Sequence, residues 1–81
     1  DMEKFYFELT DTYGGEANYC WADRVEVAAK SLRGALQKLS HYTGYNFRKT
    51  YDDRWDATKA CVCAFLIEDE YSIDQYKFKT I

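Results

Sequence analysis

KACVCAFLIE, residues 59 to 68, is apolar without a break from Ala60 to Ile67. A strand sends successive side chains to opposite faces, so one face receives Ala60, Val62, Ala64 and Leu66 and the other Cys61, Cys63, Phe65 and Ile67. An element apolar on both phases reads as a central strand with both faces covered, and the fold must supply two covers.

Working outward, KFYFELT (residues 4–10) alternates cleanly, with Phe5, Phe7 and Leu9 opposite Lys4, Tyr6, Glu8 and Thr10. That is the pattern of a half-buried strand. Alternation resumes at Tyr19, with Trp21, Val25, Val27 and Ala29 in phase. Asp23 falls on the apolar side, which implies a bulge at residues 22–24 or a place beyond the core edge. Between the two strands, Gly14 and Gly15 accept positive φ, and with Asp11 and Asn18 they predict a β-hairpin turn. A phosphate cradle would need more glycines and a following helix, whereas a strand follows.

Ser31 precedes LRGALQKLSHYTG, where Leu32, Ala35, Leu36, Leu39 and Thr43 recur at helical spacing. The expectation is one helix over residues 31–43, with Ser31 as N-cap and Gly44 as the left-handed residue past its end. YNFRKTY (45–51) reads as a third strand, DDRWD (52–56) as a turn, EDE (68–70) as another turn, and YSIDQYKFKTI (71–81) as an edge strand. The predicted fold is α+β: an antiparallel sheet of four to five strands, β-β-α-β-β with a possible C-terminal strand, and one helix packed on one face. A helix of about thirteen residues is about 20 Å long and shields one face only. The second face is left to the tail, to a second subunit in a homodimer, or to a partner.

A chain of 81 residues is expected to form one domain, 1–81, and to bury only about 60% of its unfolded surface, so function belongs on the exterior. Aromatics are 19% of the chain, which argues against disorder. No apolar run approaches the roughly 18 residues of a membrane span, and DMEK lacks the regions of a signal peptide. The expectation is a soluble, cytoplasmic protein with Met2 as its natural start. Charge is unevenly spread. Residues 1–23 carry six acids and one base, 24–51 six bases and one acid, and 52–81 seven acids and four bases, or −5, +5 and −3. The resulting field has a direction, which governs which partners are attracted.

Cys20, His41, Cys61 and Cys63 match a Cys₃His zinc site in number. Cysteines two apart on a strand, however, have Cβ atoms roughly 7 Å apart, too far for one tetrahedral ion. The thiols are expected in the core as free cysteines, His41 at the helix C-terminus, and no metal, cofactor or catalytic residue is assigned. The chain reads as non-enzymatic. Asp52, Asp53 and Asp56 in one turn and Glu68, Asp69 and Glu70 in the next are expected at opposite ends of the second hairpin, where carboxylates imitate phosphates toward a basic partner. Tyr13 and Tyr71 are the expected aromatic anchors of that partner-binding surface. The alternative is a nucleic-acid-binding accessory protein using the basic and aromatic residues of 42–51, with Arg48 and Lys49 beside Tyr45 and Tyr51. An acidic net charge and the absence of an RNP-like motif weigh against it.

TDTYGGEANYCW (10–21), with the later CAFLIEDE (63–70), resembles small proteins encoded by phages and integrated mobile elements. Some such proteins are similar in kind to anti-CRISPR or anti-restriction inhibitors. The resemblance implies a non-enzymatic inhibitor that binds a host protein or nucleoprotein complex in the bacterial cytoplasm, and it carries no catalytic residues.

Overall fold

The computed structural model describes residues 1–81. Its elements are β1 (Glu3–Asp11), β2 (Ala22–Ala29), α1 (Leu32–Thr43), β3 (Phe47–Tyr51), β4 (Arg54–Ala57), β5 (Val62–Ile67), α2 (Glu70–Gln75) and β6 (Lys79–Thr80). The strands form one six-stranded sheet in the order β3-β4-β5-β1-β2-β6. Every neighbouring pair is antiparallel except β2 and β6, which run parallel. The fold is thus a small α+β arrangement, as the patterning predicts, with a mixed sheet and a second helix that it does not.

α1 covers the face built by the apolar phase of each strand. Phe7 lies opposite Val25 on one side and Leu66 on the other, and Leu9 lies opposite Ala64. Phe7, Leu9, Val25, Val27, Ala29, Trp55 and Ala64 meet Ala35 and Leu39 of the helix in one core. Complete burial of a side chain such as Phe7 contributes about 1.5–3 kcal/mol. Both ends of α1 follow the local code: the Ser31 hydroxyl accepts from Gly34 N–H at 3.2 Å, and Gly44 takes φ +77° while its N–H donates to the Ser40 carbonyl. β5 is central, as its doubly apolar pattern requires. Asp23 pairs in register with Leu9, without a bulge, near the end of the ladder.

Four expectations need correcting. The pentapeptide DDRWD is not all turn. Asp52 and Asp53 make the reversal, Arg54–Ala57 form β4, and Trp55 is 5% exposed against the core, edge-on to Phe7 at 6.4 Å. Charged neighbours hide this strand in the sequence, because Arg54 and Asp56 point to the other face and pair with each other at 3.0 Å.

The tail is not one strand either. Asp69 accepts from Ser72 N–H at 2.9 Å and caps the short helix α2, which leaves only Lys79 and Thr80 to pair with Val25 and Glu26. β2 begins at Ala22 and not at Tyr19; β1 and β2 do pair as the expected antiparallel hairpin, closed by a ten-residue loop, residues 12–21. Finally, of the three cysteines only Cys63 is in the core; Cys20 and Cys61 are exposed.

The second face finds its cover within the chain. Tyr19 stacks on Phe65, Phe78 meets Tyr6 at 4.9 Å, and the Arg24 guanidinium sits 3.9 Å from the Tyr76 ring centroid. The loop covers one part of the sheet and the tail another.

Candidate interaction surfaces

Leu66 N–H donates to the Asp53 carbonyl at 2.8 Å, which ties the β3–β4 turn to the outgoing end of β5. Because β4 adds a pass across the sheet, Asp52 and Asp53 emerge at the same end as Glu68, Asp69 and Glu70, not at opposite ends. All five are exposed. None takes part in the three ion pairs of the structure, Lys4–Glu26, Arg24–Glu8 and Arg54–Asp56. Asp69 is committed to capping α2, and its bonds to Ser72 hold its carboxyl below the usual carboxylate range.

Asp56 does not join them. It lies farther along β4, opposite Cys63, with its charge offset by Arg54. Tyr71, 77% exposed in the first turn of α2, stands beside the acidic end. Tyr13, 80% exposed, belongs to the loop that follows β1 at the other end of the sheet. The expected partner surface therefore separates into an acidic end with Tyr71 and a distant Tyr13.

The loop that carries Tyr13 is strongly tied down. Gly15 N–H donates to the Thr12 carbonyl at 2.8 Å with Gly14 at φ +88°, the third position of a turn that demands positive φ. Asp11 anchors the return: its carbonyl accepts from Asn18 N–H, and its carboxylate from Cys20 N–H at 2.9 Å. Tyr19 then takes φ +55°, uncommon for a non-glycine residue, and this turns its ring onto Phe65. Burial raises the Tyr19 phenol pKa, with the negative Glu8 adding to the effect. Burial also pushes the Cys63 thiol up, with Arg54 opposing.

This loop makes a groove that sequence reasoning missed. Gly15, Glu16 and Ala17 face Arg48, Lys49, Thr50, Tyr51, Arg54 and Asp56 across a volume of about 910 Å³. Three of the four residues of the nucleic-acid alternative thus line one groove, and Tyr45 lies outside it, edge-on to Phe47 at 6.3 Å. The available signal was length: ten residues between β1 and β2 exceed what a two-residue hairpin turn needs.

His41 is in the last turn of α1, as expected, and lines a second groove between that helix and β6. No three His, Cys, Asp or Glu side chains are grouped as ligands of one metal ion would be. No helix is long and apolar enough to cross a membrane. Comparison with protein-family models, with curated proteins and with solved structures finds no match to this chain.

Proposed function

We propose that the chain is a non-enzymatic protein-binding module whose acidic sheet end docks on a basic surface of its partner. The observation that carries this reading is the convergence of Asp52, Asp53, Glu68 and Glu70, all exposed and outside every ion pair, beside the exposed Tyr71. Carboxylates so placed raise the rate of encounter with a cationic surface, and a tyrosine ring supplies contact area with a polar tip. Together with the resemblance of residues 10–21 to proteins of mobile elements, this makes a bacterial nucleic-acid-handling defence complex, CRISPR-associated or restriction, the class of partner to test.

The test compares proteins retained from bacterial lysate by the wild-type chain and by Asp52→Lys/Asp53→Lys and Glu68→Lys/Glu70→Lys variants over a range of salt. Salt-sensitive retention lost in both variants, at unchanged melting temperature, supports the reading. Equal retention by all three, or loss that tracks unfolding, refutes it.

A second reading has its own observation, the groove holding Arg48, Lys49, Tyr51 and Arg54. Single-stranded nucleic acid is bound by positive grooves with stacking aromatics, although here Glu16 and Asp56 share the lining. Gel shifts against single- and double-stranded DNA and RNA at low salt decide it, and no shift at micromolar protein removes it.

A further inference from the structure

The groove between α1 and β6 belongs to neither reading above. Its apolar lining is Met2, Ala29, Tyr42 and Ile81, with the bare backbone of Gly34 beside them, and its volume is about 820 Å³. Around it stand Lys30, Lys38, His41 and Lys79, and no carboxylate side chain lines it. One wall is β6, the last strand of the sheet, whose outer edge has no neighbour. We propose that this groove binds an extended acidic segment of a protein partner, laid along the free edge of β6 with alternate apolar side chains directed under α1.

Three features lead to that occupant. An exposed edge offers main-chain donors and acceptors in the spacing an added strand requires, and a groove beside it supplies pockets for every second side chain. The remaining edge of β2 is less open to pairing, because Lys38 Nζ donates to the Ala28 carbonyl; an incoming strand is therefore directed to β6. That ammonium keeps further donors for an incoming carboxylate. Lys79 is set toward the groove by the Tyr42 ring, whose centroid lies 5.2 Å from Nζ. A rim of three lysines whose lining holds no acidic side chain selects negative side chains, although Asp23 lies within electrostatic reach of Lys79, and the apolar lining favours a peptide over a polyphosphate backbone. A second copy of this chain is a poor occupant: its own acidic and apolar segment, residues 69–75, is held in α2 and its cap.

The probe is a synthetic peptide of alternating Val and Glu, with a Val and Lys peptide as control, followed by amide chemical shifts and calorimetry. The expected result is binding of the acidic peptide that weakens with salt, with shifts centred on Gly34, Lys79 and Thr80 and none with the basic peptide. Lys30→Glu/Lys79→Glu should weaken binding by about tenfold or more. Gly34→Met gives an independent control. A Cβ at this position meets only ordinary contacts, Ser31 Oγ at 3.5 Å and Ala29 Cβ at 3.6 Å, and the change removes the residue of α1 least suited to a helix, so the variant folds while its side chain fills the groove. Loss of peptide binding in a Gly34→Met protein of equal or higher melting temperature supports the proposal. Unchanged binding in that variant, shifts centred elsewhere, displacement of the peptide by single-stranded DNA at the same residues, or dimerisation through this edge would each overturn it. Charge reversal at Asp52 and Asp53 should leave peptide binding intact, which separates this surface from the acidic end.

Discussion

The ring of Tyr19 lies nearly parallel to that of Phe65, with planes 9° apart and centroids 6.2 Å apart, on the sheet face that α1 leaves uncovered. Phe65 is the second member of a row across four strands, Arg54, Phe65, Glu8 and Arg24, in which Arg54 bonds Asp56 and Arg24 bonds Glu8 at 2.8 Å. The stack closes the apolar part of that row, while ion pairs occupy the rest. A residue in a left-handed conformation thus holds a ten-residue loop against the sheet.

Tyr19→Ala should cost about 1–3 kcal/mol, combining lost aromatic contact with lost burial. In the wild-type protein a thiol reagent should label Cys20 and Cys61 quickly and Cys63 only on unfolding, since Cys63 is fully buried. In the variant Cys63 should become reactive under native conditions. Denaturant titration and a timed thiol assay check both.

Trp55→Ala should cost about 3–5 kcal/mol, as expected for a large aromatic removed from a packed core. Trp55→Phe should cost much less. Were Trp55 an ordinary turn residue, neither change would matter beyond about 0.5 kcal/mol, so urea denaturation separates the two cases.

Two glycines of one helix should respond with opposite sign. Gly34→Ala should stabilise by about 1 kcal/mol, because the position is helical and open enough for a methyl group. Gly44→Ala should destabilise by about 1 kcal/mol or more, because its φ of +77° strains any residue with a Cβ. Thermal melts of the pair provide the check.

Asp69 should make α2 sensitive to acid. Its folded carboxyl titrates below the usual 3.8, owing to the bonds from Ser72, so its contribution is fully present above that value and is lost as pH falls through the lower folded one. The Ser72 amide resonance, followed by NMR below pH 4, should move with this titration, and in Asp69→Asn that pH dependence should disappear.

Legibility in the sequence followed the range of the interactions. β1 and β5 are visible because each residue's face is set by its own position in a period of two, and α1 is visible because Ser31 and Gly44 act within one turn of themselves. β4 is not: four residues with two charges resemble a turn until Phe7 and Ala64 are seen to require Trp55 between the helix and the sheet. The gathering of Asp52 and Asp53 with Glu68, Asp69 and Glu70 was lost with it, since an overlooked strand reverses the direction in which the chain next leaves the sheet.

Patterning alone therefore determined the α+β class, the central place of residues 62–67 and the helix with both its caps, because these depend on hydrophobic period and on bonds between near neighbours. Which face the 12–21 loop covers, where the tail pairs and which charges share an end were decided only by the tertiary structure. Those outcomes rest on contacts such as Tyr19 with Phe65, Arg24 with Tyr76 and Leu66 with Asp53, between residues far apart in the chain, whose meeting no local propensity encodes.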